Sequence, residues 1–162
     1  MQSQMDIQIR QASPEDLEHI QNLNRLLFEQ EYQDYDHTLK VQWPASAEAA
    51  GYYREAIEDE ETHAVFLAWD GPVPVGYLLG GLVAEETWRD VSLMAELANM
   101  FIAPQYRGRG IGTHLMDAFI EWSEEHGVSR IKVIASAQNH RAIDFYRGAG
   151  FRDYTISLER TV

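Results

Sequence analysis

Gln105-Tyr106-Arg107-Gly108-Arg109-Gly110-Ile111-Gly112 decides how the rest of the chain is read. The stretch follows an apolar run over residues 97–102 and opens a segment whose apolar residues recur at helical spacing. Three glycines in five positions put main-chain N–H groups where side chains would otherwise stand. A helix beginning there adds its unpaired N–H donors and the positive end of its dipole. A strand, a glycine loop and a helix in that order make a cradle for a phosphate.

Loops of this kind have several owners. A Walker loop places Lys-Ser/Thr after its last glycine. Here Gly110 is followed by Ile111-Gly112-Thr113, which argues against a nucleotide triphosphatase. A dinucleotide fingerprint needs Gly-x-Gly-x-x-Gly inside a βαβ unit. Here the third glycine, Gly112, comes one residue early, and the strands before it read as an antiparallel meander. A glycine turn without a ligand stays open for the loop taken alone. The remaining pattern is Gln-x-x-Gly-x-Gly, which Gln105, Gly108 and Gly110 fit.

Outward from the loop, residues 95–102 read as a buried strand ended by Ala103-Pro104. Ile111, Leu115, Ala118, Phe119 and Trp122 give the following helix its apolar face, and His126-Gly127 ends it. Residues 130–135 are a strand, 141–149 a short helix with Ala142, Ile143, Phe145 and Tyr146 inward, and 151–158 a last strand. Upstream, residues 6–10 alternate as a strand, and Ser13-Pro14-Glu15-Asp16 reads as a helix start with Leu17, Ile20, Leu23 or Asn24, and Leu27 on one face. Residues 29–44 are polar and aromatic and read as a long loop, and 46–57 as a second helix. Residues 64–69 and 75–83 are strands separated by Asp70-Gly71-Pro72-Val73-Pro74, a hairpin signal, and 84–94 is a polar link. The order β-α-α-β-β-β-α-β-α-β implies one α/β domain over residues 1–162, with a mixed, largely antiparallel central sheet flanked by helices.

Cysteine is absent, which removes disulfides, thiolate catalysis and cysteine-bound metal. No leader and no membrane-length apolar run is seen, so a cytoplasmic protein is expected. The net charge of −13 argues against nucleic acid as a partner. Residues 1–96 hold 19 acids and 5 Lys/Arg, while residues 97–162 hold 7 acids and 8 Lys/Arg. The acidity lies upstream of the glycine loop. It is either a solvated surface or an attraction for a cationic partner, and the near-neutral half is suited to an anion.

At this point the chain resembles the GNAT superfamily of N-acetyltransferases. Gln105, Gly108 and Gly110 carry the resemblance, with Asn139 and Ala142-Ile143-x-Phe145-Tyr146-x-x-x-Gly150-Phe151 downstream and the element order over almost the whole chain. The resemblance implies acetyl-coenzyme A as co-substrate and no metal. Main-chain N–H groups from Arg107 through Gly108, Arg109, Gly110, Ile111 and Gly112, with Thr113, would hold the pyrophosphate. The strand edge at Met100, Phe101 and Ile102 would pair with the pantetheine arm. An N–H near Met100 would stabilise the negative charge developing on the thioester carbonyl. Asn139, Phe145 and Tyr146 would also line the cofactor, and Asn139 is equally a helix cap.

Acetyl transfer to an amine needs a neutral amine, a stabilised oxyanion and a proton for the departing thiolate. The resemblance makes Tyr146 the acid beside the sulfur; by spacing alone it is an aromatic on a buried helix face. It makes Glu96 the base, although a strand-end surface carboxylate reads the same. His114 and His140 are expected to face solvent or to be structural. For the acceptor, Glu29, Glu31 and Asp34 interleave with Tyr32, Tyr35 and Trp43, which suits an ammonium group as readily as it suits a solvated loop. Glu85, Glu86 and Asp90 lie on the link into the central strand. The expected activity is direct transfer of acetyl to a cationic primary amine of a small molecule or protein. The alternatives are a non-catalytic acyl-coenzyme A sensor, or an acyltransferase with another donor or a hydroxyl acceptor. The resemblance also allows a homodimer.

Overall fold

Five strands lie side by side in chain order in a computed structural model that describes residues 6–162. Strands β1 (Ile7–Gln11), β2 (His63–Asp70), β3 (Val73–Leu82) and β4 (Met94–Ile102) run antiparallel, and β5 (Arg130–Val133) runs parallel to β4. A two-residue turn at Gly71-Pro72 suffices between β2 and β3, where Asp70 pairs with Val73. The parallel step from β4 to β5 requires a crossover, supplied by α3 (Ile111–Glu125). Helices α1 (Leu17–Asp34) and α2 (Ala47–Glu58) precede β2, and α4 (His140–Gly148) follows β5. Among the described residues no helix is long and apolar enough to cross a membrane.

The sheet is covered on both faces because β2 and β3 are apolar on both. Val65, Leu67, Trp69, Tyr77 and Leu79 pack with Ile20, Leu23 and Tyr53 of α1 and α2. Ala64, Ala68, Leu78 and Leu97 pack with Leu115, Met116, Phe119 and Trp122 of α3. The helix starts are closed by short polar bonds. Ser46 accepts from the Ala49 N–H at 3.1 Å, and the Ser13 N–H donates to Asp16 Oδ2 at 2.8 Å.

The boundaries depart from expectation in three places. Residues 29–34, expected in a loop, are the last turns of α1, and the Tyr35 N–H closes the helix on the Glu31 carbonyl at 2.8 Å. Glu, Gln and Tyr sustain a helix well enough when one face keeps its contacts. Strand β5 stops at Val133, short of the expected 135, and Ile134 stands in solvent. Residues 151–158, expected as the last strand, join no ladder. The start of that segment is tied to α4 by Arg147, which donates to both carboxylate oxygens of Asp153 at 2.9 and 2.6 Å.

A buried polar knot ties the α1–α2 layer to the sheet. Tyr53 Oη donates to Asn24 Oδ1, and Asn24 Nδ2 donates to Tyr77 Oη at 2.7 Å and to Asn99 Oδ1 at 3.3 Å. Asn24, Tyr53 and Tyr77 are all fully buried. Burial raises both phenols' pKa, so their hydroxyls remain donors. Asn24→Ala removes the acceptor of the buried Tyr53 hydroxyl and leaves Tyr77 only its 3.4 Å bond to Asn99 Oδ1, and is expected to destabilise the fold by about 2 kcal/mol in urea unfolding.

Candidate active site

The sheet opens between β4 and β5. The two strands pair only from Met94 with Arg130 to Leu97 with Val133, while β4 continues to Ile102. Between Leu97 and Asn99 the β3–β4 register shifts, leaving Ala98 as an extra residue. Such a bulge bends its strand. Beyond it, the β4 edge that faced β5 offers its main-chain groups to a groove of about 2540 Å³. Met100, Phe101 and Ile102 form its floor.

The glycine loop closes one end of this groove. Gly108 and Gly110 have φ of +74° and +81°, a left-handed conformation that glycine adopts without strain. Gly110 caps α3 with no side chain of its own, so the first N–H groups of that helix point out of it unpaired. Gly112 answers to space, since a Cβ there would meet the Phe145 ring at 3.4 Å. Arg107 fixes the loop. Its Nε donates to the Ile102 carbonyl at 2.8 Å and its Nη2 to Gln30 Oε1 at 2.6 Å. Burial and the nearby Arg141 lower its pKa. Two guanidinium groups close enough to repel, beside unpaired N–H donors, make a site that an anion would relieve.

The groove's other wall is α4. Asn139 accepts from the Ala142 N–H at 3.1 Å and so caps the helix, leaving its amide nitrogen for other partners. Tyr146 packs against Phe145 and Phe151 with ring centroids at 5.4 and 5.7 Å. Its phenol is pushed up to about 12, first by burial and then by the Glu31 carboxylate. Glu31 projects from α1 into the same groove, half-buried. Burial raises its pKa, with Asp36 adding to the effect. A neutral phenol and a reluctant carboxylate thus face one cleft beside the bulge in β4. Such pairs divide acid and base roles between them.

Of the residues expected to bind the cofactor, Met100, Phe101, Ile102, Arg107, Gly108, Gly110, Ile111, Gly112, Thr113, Asn139, Phe145 and Tyr146 line this groove. Gln105 and Arg109 lie outside its lining and are exposed, with the Arg109 guanidinium 5.8 Å from the Tyr106 ring centroid. Glu96 also lies outside the lining, and its carboxylate pairs with Lys132 of β5 at 3.2 Å. Among the acceptor candidates, Glu29 pairs with Arg25 at 2.6 Å, Tyr32 sits edge-on to His37, and Glu85 is exposed. Their neighbours Gln30, Glu31, Tyr35, Asp36 and Glu86 line the groove instead. Leu27, Glu31 and Tyr35 recur every four residues, so the helix that replaced the expected loop turns Glu31 inward and Glu29 and Tyr32 away. Arg141 is the functional candidate that spacing missed; the signal was a basic residue in the first turn of α4, facing Arg107. His114 and His140 are exposed.

Known proteins share this fold. Over 85 residues the chain is 32% identical to the thialysine N-epsilon-acetyltransferase of Bos taurus, taking in 52% of this chain and 48% of that enzyme. The chain spans about half the length, or less, of this and other curated N-acetyltransferases it matches. Its fold superposes on the BH1408 protein of Bacillus halodurans with a TM-score of 0.83 at 21% identity, over 96% of this chain and 99% of that one. It superposes on AAC(6')-Iy, solved with a bisubstrate analogue joining coenzyme A to acetylneamine, with a TM-score of 0.75 at 22% identity, over 96% and 98%. A sequence model of the acetyltransferase (GNAT) family matches residues 17–151, from the first residue of α1 to the end of the Tyr146 segment. The open seam in the sheet, the glycine loop at its end and that match agree: the chain belongs to the GNAT acetyltransferase family.

Proposed function

We propose that this protein transfers an acetyl group from acetyl-coenzyme A to a cationic primary amine, directly and within a ternary complex. The observation that carries this reading is the seam between β4 and β5, whose groove is lined both by anion-holding groups and by Tyr146 and Glu31. The free edge of β4 suits a pantetheine arm, which brings its own amides to pair with main-chain groups. Arg107, Arg141 and the N–H groups that open α3 suit a pyrophosphate. An N–H near Met100 would donate to the acyl oxygen as negative charge grows there. Glu31 would first take one proton of the incoming ammonium, through water, and pass it to solvent, so that a neutral amine forms the N–C bond. Tyr146 would give its proton to the sulfur as the C–S bond breaks and recover one, through water, from the nitrogen of the new amide. With no cysteine in the chain to carry the acetyl group, direct transfer is the simpler route.

Glu96 is the second candidate for the base, acting through Lys132 or water. Turnover of Glu31→Gln and Glu96→Gln on polyamines, aminoglycosides, lysine analogues and peptide amines distinguishes them. Glu31→Gln is expected to cost about a hundredfold in kcat/KM, and Glu96→Gln only a few-fold. The reverse order would move the base to Glu96. Acetyl-coenzyme A binding without turnover on any amine or alcohol would leave a cofactor sensor.

Glu31 also sets a pH signature. Its pKa is raised in the fold, so the acid limb of kcat/KM lies above the ordinary carboxylate value of 4.5 and disappears in Glu31→Gln. The same shift gives a stability contribution that is present below the unfolded value and lost as pH rises through the folded one. Glu31→Gln is therefore expected to melt higher than the parent at neutral pH while working more slowly, which calorimetry beside the rate assay would show.

A further inference from the structure

We propose that Arg107 is a positioning residue for Glu31: its side chain leaves the glycine loop, grips Gln30 and holds the last turns of α1 helical, so that the neighbouring carboxylate faces the groove. The grip is a matter of geometry, and its consequence for turnover rests on Glu31 as the base, as proposed above. Those turns need holding. Gln30-Glu31-Tyr32-Gln33-Asp34 is a polar run at the end of an 18-residue helix. The last turn carries no Lys or Arg to answer the negative end of the helix dipole, and Asp34 adds a like charge there. Composition favours fraying, which is why the run reads as a loop. The closing bonds converge on one residue: the N–H groups of Tyr35 and Asp36 both donate to the Glu31 carbonyl, at 2.8 and 2.9 Å. A turn that opens there takes the Glu31 side chain with it.

Arg107 supplies, from 77 residues away, what the helix end lacks. Its Nη2 donates to Gln30 Oε1 at 2.6 Å while its Nε holds the Ile102 carbonyl at 2.8 Å. The guanidinium thus bridges the end of β4 and the end of α1, with the Phe101 ring centroid 5.2 Å away. A planar fork holds two acceptors at once in fixed directions, which the single ammonium of a lysine does not reproduce. Burial, then Arg141, lowers the Arg107 pKa, while Tyr35 and Asp34 act the other way and mark the cation's place beside the helix end. A bond from an ionised donor is also stronger than one between neutral groups.

Gln30 and Glu31 are consecutive, so on a helix their side chains stand about 100° apart. Both line the groove. Fixing one therefore fixes the direction of the other for as long as the turn stays helical. The surroundings of Glu31 depend on the same turn. Asp36 lies just after the helix, and the Tyr77 phenol of β3 and the Tyr146 phenol of α4 both feel the Glu31 charge. Burial is the first cause of the raised Glu31 pKa, so a loosened turn returns the carboxyl toward its ordinary value.

Gln30→Leu tests this on the full chain, because it removes the acceptor and leaves Arg107, the glycine loop and Glu31 in place. Hydrogen exchange at the Tyr35 and Asp36 amides is expected to speed about tenfold or more. The kcat on an amine is expected to fall about tenfold, with the affinity for acetyl-coenzyme A within about twofold of the parent. The acid limb of kcat/KM is expected to move toward 4.5. Gln30→Glu, which keeps an acceptor for Arg107, should keep the slow exchange and the rate. Arg107→Lys should speed the same two amides. Gln33→Leu, exposed in the same stretch of α1, is the control and should leave exchange and rate unchanged. Parent-like exchange of Tyr35 and Asp36 in Gln30→Leu overturns the grip. Faster exchange with the rate and the acid limb of the parent overturns the positioning role. Full turnover in Glu31→Gln overturns the base itself, and the positioning role with it, whatever the exchange shows.

Discussion

Tyr146→Phe is expected to lower kcat about a hundredfold while leaving the affinity for acetyl-coenzyme A within about twofold. The ring itself holds the packing, since Phe145 and Phe151 touch its faces and edges, and phenylalanine keeps all of that. What is lost is one hydroxyl. Its proton is available at every working pH because burial pushes the phenol up to about 12, two units above the free side chain. The sign of that shift matters. The stability tied to the protonated phenol is complete below the unfolded value of about 10 and fades only as pH rises through about 12, so Tyr146 supplies no alkaline limb in the neutral range. A lost hydroxyl at a merely structural phenol would change the melting temperature and spare kcat. Stopped-time assays of thiol release, with titration calorimetry for binding, separate the two.

Gly110→Val is expected to weaken acetyl-coenzyme A binding by tenfold or more. Gly110 sits at φ +81°, where a β-branched residue pays about 1–2 kcal/mol or more, and it caps α3 at the point where the helix's unpaired N–H groups leave the chain. Nothing crowds the position, so the strain would be relieved by turning the loop rather than by unfolding the domain. The cradle would then lose its geometry while the core of α3 stays packed. Gly112→Val acts differently: its Cβ meets Phe145, so it should push α4 and with it Tyr146. Calorimetric binding for the first, and the ratio of kcat loss to binding loss for the second, distinguish a bent loop from a displaced helix.

The glycine loop was readable because its geometry is local. A loop that cradles an anion needs left-handed glycines at fixed offsets and a helix directly after, and Gly108 and Gly110 state that in the sequence. The sheet was readable from alternation and turn residues, and the Asn139 cap from its residue type. The acceptor end was harder. Residues 29–34 look like a loop by composition, and only the fourfold recurrence of Leu27, Glu31 and Tyr35 tells that the helix goes on. Reading a loop there spread attention over Glu29 and Tyr32, which the helix turns outward. The Lys132 partner of Glu96 comes from β5, 36 residues downstream, and no spacing rule anticipates it. The last segment was read as a strand from its alternation, and there the reading fails: residues 151–158 join no ladder, and Tyr154, Ile156 and Leu158 are exposed. Alternation alone does not supply a partner strand.

The most direct test of this account is a crystal structure of the protein with acetyl-coenzyme A. The expected density places the pyrophosphate within hydrogen-bonding distance of the N–H groups of residues 108–113, the pantetheine arm along residues 98–102 of β4, and the sulfur beside Tyr146 Oη. Coenzyme bound elsewhere, or lying in the groove with its sulfur away from Tyr146 and Glu31, would contradict it.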